Sequence, residues 1–404
     1  MTSPATSPAP RTGLSIAEAR RNIHEAVQLL APRRADVASS IGATLAEPLR
    51  TRAPLPVADV AAMDGFAVRG PGPWVLRTET QTAGTDLVDP LQPGQAVRIG
   101  TGARLPEHAS AVLRDEHVTN TTLHSQPAIT VQPGISPRDD TRRRGESWSA
   151  GTDLAAVGAR ISPAVASVAI TAEHRLIQLR GPVRAHVVLT GDEIYSGAAP
   201  LEPGQTRDCI GPVLPYYLNS LDIITEGITY TPDRAHETCH AIAAANENAD
   251  LIVVVGATRC GPADRVRNAL RTSGAVIIID GLTCRPGGSQ IVAQIPEGPA
   301  VLCLPGNPYA ALAALMITAP EIVAALTGRT PQPRLTARIP ECSGLAALDV
   351  TRVLPAKRLQ DGRWSVHSGP QTAHLAGLVG WDAFALIPPG ASPETPTCLI
   401  PISG

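Results

Sequence analysis

Polar turns follow the buried strands predicted in the middle of the chain, and one of them places two carboxylates side by side. The turn Thr190-Gly191-Asp192-Glu193 comes directly after the apolar run RAHVVL. Ligands bind at the carboxyl ends of strands in open α/β sheets, and adjacent carboxylates there can hold a divalent metal ion or exclude a second anion. Aspartate also favours the cap of a helix N-terminus. On these residues alone, the metal-site and helix-cap interpretations both stay open.

Two more turns follow predicted strands. Residues 256–264 come after the run LIVVVG, and the backbone amides of such a glycine-containing turn, opening a helix, can cradle an anion. The pattern is weak by itself, because Pro262 supplies no amide. Residues 304–308, the sequence LPGNP, form a rigid turn between a strand and a long helix. Such turns are more often structural than functional, but this one lies where a ligand would dock.

Two turns nearer the N-terminus also carry reactive groups. The segment AAMDGFA places Asp64 in a turn with apolar neighbours, and RIGTGA places the hydroxyl of Thr101 between two glycines, suited to close approach of an oxyanion. Taken singly, each is typical of an ordinary turn, so their meaning depends on the other motifs.

The elements that must position these turns alternate between strands and helices. Ser15 and Glu18 form a capping box before a first helix that should end near Pro32. The runs RAHVVL, LIVVVG and AVIIID alternate with helical segments near residues 213–221, 262–271 and 308–326, and SQIVAQI and AVLCL form a hairpin-like pair. This pattern predicts a parallel sheet covered on both faces. Short apolar runs before and after it predict a β-rich module and a C-terminal β-barrel.

Length and composition predict several domains and no nucleic-acid or membrane partner. The 404 residues exceed one ordinary core, and the net charge of −2 provides no attraction for polyanions. No apolar run approaches about 18 residues without charge or proline, so we expect no membrane span. Seven scattered cysteines without a C-x-x-C pair, and no signal peptide, predict reduced thiols in the cytoplasm.

Several motifs together resemble those of the molybdopterin molybdenumtransferases, whose eukaryotic relative is the E domain of gephyrin. The matching segments, in the family's order and spacing, are AAMDGFAVRG, RIGTGARLPEHASAVLRDE, RRRGE, VVLTGDEI, GQTRD, LIVVVGATRCGPAD, RPG and LCLPGNPYAALA. The resemblance implies an α/β multidomain fold: a central parallel-sheet molybdopterin-binding domain, a β-rich second domain, a helical and extended N-terminal domain, and a C-terminal β-barrel. The implied boundaries are 14–50 plus 140–182, 51–139, 183–329 and 330–404.

The activity that the resemblance implies is insertion of molybdate into adenylylated molybdopterin with Mg²⁺-assisted release of AMP. It also implies a homodimer in which the second domain of one subunit faces the molybdopterin-binding domain of the other. The protein that adenylylates molybdopterin and the apo-proteins of molybdoenzymes are possible partners. The alternative is a catalytically impaired paralogue that binds molybdopterin or the finished cofactor as a carrier or insertion partner.

The family's functional positions carry over to residues of this chain. The implied catalytic residues are Asp64, Thr101, Glu193, Asp208 and Asp264, of which Glu193 and Asp208 are the implied metal ligands. The implied molybdopterin- or nucleotide-binding residues are Thr190, Gly191, Asp192, Gly256, Arg259, Gly261, Arg285, Pro305, Gly306, Asn307 and Pro308.

The chain departs from the family at several charged positions. The family's Lys-Pro-Gly-Lys is Arg285-Pro286-Gly287-Gly288 here, so one cation is changed and another is removed. In the loop after the second strand, Ala257 replaces a glycine and Pro262 an aspartate. Arg259 could restore a cation with bidentate geometry for phosphate or molybdate, or it could be a solvated loop residue.

Overall fold

The computed structural model describes residues 13–245, 247–256, 258, 265–347, 349–369 and 373–402. The chain divides into two compact units. The first comprises Met1–Glu47, Ala156–Ser167 and Arg175–Gly404, and the second comprises Pro48–Ala155 and Val168–His174. The four-domain boundaries stay a prediction.

Few helices and many short strands make up the fold. The α-helices are α1 (Ile16–Ala26), α2 (Pro163–Thr171), α3 (Leu214–Ser220), α4 (Ala235–Ala245), α5 (Arg265–Thr272), α6 (Pro308–Thr327) and α7 (Cys342–Leu345). The strands before residue 183 are β1 (Arg33–Asp36), β2 (Thr44–Leu45), β3 (Leu49–Arg50), β4 (Val60–Ala61), β5 (Gly65–Val68), β6 (Trp74–Gln81), β7 (Gln95–Ile99), β8 (Ala111–Arg114), β9 (Val118–Leu123), β10 (Gln126–Val131), β11 (Thr141–Arg142), β12 (Asp153–Ala155) and β13 (Leu176–Arg180). Those that follow are β14 (Val183–Thr190), β15 (Ile194–Tyr195), β16 (Thr206–Arg207), β17 (Ile223–Thr231), β18 (Leu251–Val255), β19 (Val276–Asp280), β20 (Cys284–Arg285), β21 (Ile291–Gln294), β22 (Ala300–Leu304), β23 (Leu335–Arg338), β24 (Thr351–Arg358), β25 (Trp364–Val366), β26 (Ala383–Ile387) and β27 (Pro396–Pro401).

The second unit is built on one six-stranded sheet, in the order β8-β5-β7-β6-β10-β9. Successive side chains of β5 enter different apolar clusters: Ala67 packs with Val97 and Val112, while Phe66 and Val68 pack elsewhere. This alternation is the two-residue period of a strand with both faces covered. The β-rich character predicted for this segment is confirmed.

The first unit contains a six-stranded sheet in the order β17-β14-β18-β22-β21-β19. The first four strands run parallel. Side chains alternate between the two faces: Val187 and Leu189 of β14 join the cluster that contains α1, α3 and α6, whereas Val188 joins the cluster that contains α4 and α5. Both faces are therefore covered by helices, which explains the continuous apolar runs in the sequence.

The predicted parallel sheet is antiparallel at one edge, where β21 pairs with both β22 and β19. The pairing with β22 was predicted as a hairpin, whereas AVIIID, which contains β19, was predicted as a strand of the parallel sheet. Five residues separate β21 from β22, and ten separate β19 from β21. A parallel pair needs a crossover connection of about a dozen residues or more, so links this short force antiparallel pairing. The sheet is mixed, and β21 with β22 forms the predicted hairpin.

Helices α1 and α6 form where the sequence predicted a capped first helix and a long helix near residues 308–326. Helix α1 begins after Ser15, whose side chain accepts from the main-chain N–H of Glu18 while the Glu18 carboxylate accepts from Ser15. It ends at Ala26, earlier than expected. Helix α6 is the one described helix long and apolar enough to cross a membrane, but 89% of its apolar window is buried inside the protein. It lies in the core of the first unit, beside α1 and the sheet.

The C-terminal strands form a further sheet in the order β20-β24-β26-β27-β23, with β25 paired to β24. Its strand β20 lies between β19 and β21 in sequence, so this sheet begins within the α/β segment. The predicted C-terminal region of short strands is confirmed, and its closure into a barrel stays a prediction.

Candidate functional site

The carboxyl ends of three parallel strands open into a cleft of about 510 Å³. It is lined by Leu189, Thr190, Gly191, Glu193, Ile194, Thr206, Arg207, Asp208, Cys209, Ile210, Asp233, Val255, Gly256, Thr258, Ser289, Pro305, Gly306, Asn307, Pro308, Ala310 and Ala373. Strands β14, β18 and β22 end at Thr190, Val255 and Leu304, so the three predicted polar turns meet here. This is the position expected for a ligand site in a sheet of this type.

The strand ends approach so closely that glycine is required. Gly256 has φ +109°, and a Cβ atom there would lie 2.4 Å from the carbonyl oxygen of Thr190. Its N–H donates to the carbonyl of Leu304 at 3.0 Å, which ties β18 to β22 at the floor of the cleft. A Cβ atom on Gly306 would lie 3.6 Å from the Gly256 Cα. The backbone of two turns therefore forms the cleft wall without side chains in the way.

Asp208 is held by three donors. Its Oδ1 accepts from the main-chain N–H groups of Ile210 (3.0 Å) and Gly211 (2.8 Å), and its Oδ2 accepts from the hydroxyl of Tyr230 (2.7 Å). Partial desolvation of its hydroxyl, reinforced by the hydrogen bond to Asp208 and by the charge of Asp208, raises the pKa of Tyr230 to about 12. The phenol therefore stays protonated at neutral pH and donates to the carboxylate.

The first polar turn is fastened to the segment after β17. Oδ1 of Asp192 accepts from the main-chain N–H of Asp233 at 3.0 Å, and the hydroxyl of Thr190 lies 3.3 Å from Asp233 Oδ1. Asp192 thus fixes the turn to the segment after β17. The helix-cap interpretation of Asp192 is wrong, because strand β15 and not a helix follows the turn. Glu193 is exposed and lines the cleft.

Asn307 starts the long helix at the cleft. Its Oδ1 accepts from the main-chain N–H of Ala310 at 3.1 Å, and Pro308 occupies the first helical position, where the missing N–H costs nothing. Pro305 and Gly306 complete the turn that carries this cap. The N-terminal end of α6, with its partial positive charge, consequently faces the cleft.

Sequence reasoning missed two charged residues of the cleft and one tyrosine beside it. Arg207 donates to the carbonyls of Gly197 and Ala199 and stacks on Tyr195, with 5.3 Å between its Cζ and the ring centroid. Tyr230 lies on β17, and Asp233 lies in the turn after it. The only available signal was the adjacency of Arg207 to Asp208. Of the described lining residues, three are carboxylates (Glu193, Asp208 and Asp233) and one, Arg207, is a cation.

Arg285 does not line this cleft. It lines a second cavity, of about 480 Å³, together with Asp349 and Arg352. Because two guanidinium groups outnumber one carboxylate, this cavity suits a small anion. The predictions for Arg259, Gly261 and Asp264 lie outside the described residues.

Asp64 and Thr101 lie in the second unit and contact each other. Oδ1 of Asp64 accepts from the main-chain N–H of Thr101 at 2.7 Å and from its hydroxyl at 2.8 Å. These two hydrogen bonds, the main-chain one first, lower the pKa of Asp64 below its usual value. The carboxylate is ionised at neutral pH and fixed on an exposed turn.

Among the residues that the structure describes, no group of three or more His, Cys, Asp and Glu side chains could hold a metal ion without help from a ligand. Mg²⁺, however, is commonly bound by one or two carboxylates together with substrate phosphates. Glu193 and Asp208, in one cleft, provide a donor set that fits this mode.

Two protein-family models match the chain: the MoeA N-terminal region (domain I and II) over residues 14–172, and a probable molybdopterin binding domain over residues 186–324. A molybdopterin molybdenumtransferase of Nostoc is 31% identical over 291 residues, which cover 69% of this chain and 65% of the relative. One of Haemophilus influenzae is 27% identical over 82% of this chain and 81% of that protein. The crystal structure of a molybdopterin biosynthesis MoeA protein from Pyrococcus horikoshii matches with a TM-score of 0.73 at 21% identity, covering 97% of this chain and 100% of that one. That likeness shows a shared α/β multidomain fold.

Proposed function

Because the chain belongs to the molybdopterin molybdenumtransferase family, we propose that it inserts molybdate into adenylylated molybdopterin and releases AMP. The observation that carries the proposal is the cleft at the ends of β14, β18 and β22, which lies mostly within the segment matched by the molybdopterin binding domain. A purely binding paralogue is not favoured, because the curated relatives are named as transferases.

The charge of the cleft supports a role for Mg²⁺. Its described side chains carry three carboxylates and one guanidinium, and a phosphoanhydride substrate adds further negative charge. Glu193 and Asp208 would hold the ion together with the substrate phosphates. Bound there, Mg²⁺ would neutralise the phosphoanhydride oxygens and the departing AMP. The hydrogen bonds to Asp208 hold that carboxylate in one orientation for this task.

The chain's own groups would bind the rest of the substrate. The N-terminal end of α6 favours a phosphate or another anionic group. The hydroxyls of Thr190 and Thr258 and the side chain of Asn307 lie along the same cleft and can orient the pterin. We assign Gly191, Gly256, Pro305, Gly306 and Pro308 to the shape of the pocket, and Arg285 to an anion in the second cavity. Arg259, Gly261 and Asp264 keep their proposed binding and catalytic roles.

The proposal includes a homodimer, in which Asp64 and Thr101 of one copy complete the cleft of the other. The family resemblance supports this part, together with the two hydrogen bonds from Thr101 that hold Asp64 on an exposed turn. The four-domain division, the C-terminal barrel and a cytoplasmic location belong to the same proposal. So do contacts with the molybdopterin-adenylylating protein and with molybdoenzyme apo-proteins.

The test is a single-turnover reaction of the purified chain with adenylylated molybdopterin, Mg²⁺ and molybdate, in which AMP release is followed. We expect the Asp208→Asn and Glu193→Gln variants each to slow AMP release about 100-fold or more, because each removes a charge that holds the metal. The control is Glu202→Gln, an exposed glutamate outside the cleft, which should react like the parent. Equal rates in all four proteins would contradict the assigned site.

A further inference from the structure

We propose that Tyr230 is a positioning residue for the metal-binding carboxylate of Asp208. This inference rests on the proposed function and deepens it, since it names a residue that acts on the site without lining the cleft. Tyr230 lies on β17, the edge strand of the α/β sheet, and reaches Asp208 on the segment after β16.

The three hydrogen bonds to Asp208 divide between its two oxygens. The main-chain N–H groups of Ile210 and Gly211 both donate to Oδ1. The hydroxyl of Tyr230 donates to Oδ2 at 2.7 Å. With the two main-chain bonds alone, the carboxylate could still turn about the axis through Oδ1 and move Oδ2. The phenol removes that freedom and fixes the direction of the remaining lone pair of Oδ2.

The contact between Asp208 and Tyr230 depends on the absence of a side chain at Gly211. A Cβ atom on Gly211 would lie 2.2 Å from Asp208 Oδ2 and 2.8 Å from the Tyr230 hydroxyl. Any larger residue at position 211 would therefore displace the Asp208–Tyr230 pair. The glycine thus keeps open the space in which carboxylate and phenol meet.

Strand pairing, and not burial of the ring, fixes the position of Tyr230. It pairs with Leu189 of β14 in the parallel register, one residue before the Thr190 turn, so its Cα position is tied to the cleft floor. The residue is nevertheless 48% exposed. Removing only its hydroxyl should consequently cost little packing, while it leaves Oδ2 without this donor.

The experiment compares the parent with Tyr230→Phe and, as a matched control, Tyr216→Phe, a tyrosine that is 78% exposed on α3. Mn²⁺ binding in the presence of ADP, which carries a phosphoanhydride, is measured from the EPR signal of free Mn²⁺. The Mg²⁺ concentration for half-maximal AMP release is measured separately from the rate at saturating Mg²⁺. Thermal melting checks that each variant is folded.

We expect Tyr230→Phe to raise the metal half-saturation in both measurements about 10-fold, because residues that orient a metal ligand typically change affinity by that much or more. The melting temperature and the response of Tyr216→Phe should match the parent. Metal half-saturation in Tyr230→Phe within about twofold of the parent would overturn the inference and leave the proposed function intact. A parent chain that binds no Mn²⁺ beyond the ADP blank would instead remove the metal assignment on which both rest.

Discussion

At the scale of single residues, Gly288 closes a tight turn, a role that the motif Arg285-Pro286-Gly287-Gly288 does not indicate. It stands where the family has a lysine, so the sequence suggests only a lost cation. In the structure, a Cβ atom there would lie 2.5 Å from the carbonyl oxygen of Cys284 and 2.7 Å from that of Leu282. The Gly288 carbonyl in turn accepts from the N–H of Leu282 at 2.7 Å. The turn is closed around a residue without a side chain.

Restoring the family's lysine should therefore harm this protein. We expect Gly288→Lys to lower the free energy of unfolding by about 1–3 kcal/mol, the usual cost of forcing extra atoms into a packed site, without faster AMP release. Gly344→Lys is the control, because a Cβ atom on Gly344 meets nothing within 4 Å. Urea unfolding measures both. A Gly288→Lys variant as stable as the parent and faster in turnover would show that the lost charge, not the turn, is what matters.

The residues of the cleft differ in how far the sequence could predict them. Glu193, Asp208 and Asn307 stand in short motifs directly before or after a strand or helix, and the structure brings all three to one cleft. Asp233 reaches the cleft, and Tyr230 reaches Asp208 beside it, only because β17 pairs with β14. No local sequence pattern indicates such a pairing, so a single sequence could not predict the positions of Tyr230 and Asp233.

At the scale of elements, the sequence analysis missed strand β17 and helix α4. The reason is again that pairing with a distant strand leaves no local pattern in the sequence. Strand β17 has exposed and half-buried residues in alternation, with Thr225, Glu226 and Gly227 in its centre. It therefore lacks the continuous apolar run that marked β14 and β18. Helix α4 follows after only three residues. An edge strand is specified mainly by its neighbour, whereas central strands are specified by their own burial on both faces.

Ends of distant elements are joined in the first unit by one carboxylate. Asp222, in the turn between α3 and β17, accepts two hydrogen bonds from Arg160 and one from Arg329, at 2.5–2.7 Å. Burial would raise the pKa of Asp222, but the hydrogen bonds and charges of both arginines outweigh it, and the pKa is lowered. Arg329 follows directly on α6 and its cap, so the group ties the end of that helix to β17.

The stability from this group should depend on pH. A carboxyl group with a lowered pKa stabilises the folded state above its unfolded pKa of about 3.9, and the effect is lost as pH falls further through the folded value. We expect Asp222→Asn to lower the free energy of unfolding by about 2 kcal/mol at pH 7, a figure reduced because Arg160 is partly exposed. The difference from the parent should shrink as the pH falls below about 4.

Urea unfolding at pH 7 and pH 3 measures this difference. Glu394→Gln is the control, because Glu394 and its partner Arg338 are both more than 70% exposed and such pairs contribute about 0.5 kcal/mol or less. A pH-independent effect of Asp222→Asn would mean that the side chain acts through packing and not through its charge.

At the scale of the whole molecule, the family and the general fold were accessible from the sequence. Motifs spread over both units, from Asp64 to the turn before α6, identify the family, and two family models match the same stretches. The sequence analysis predicted the hairpin of β21 and β22 but placed β19 in the parallel sheet, since apolar runs look alike in parallel and antiparallel strands. The ten-residue connection from β19 to β21 is too short for a crossover, and it indicates the antiparallel pairing of these two strands.

The most direct test of the account is the molybdate dependence of AMP release by the unmodified chain. Adenylylated molybdopterin and Mg²⁺ are supplied in single turnover with and without molybdate, and released AMP and protein-associated molybdenum in the pterin are quantified together. The account predicts fast AMP release only with molybdate, and one molybdenum inserted for each AMP released. Tight binding of the adenylylated substrate without AMP release, or AMP release without molybdenum insertion, would contradict it.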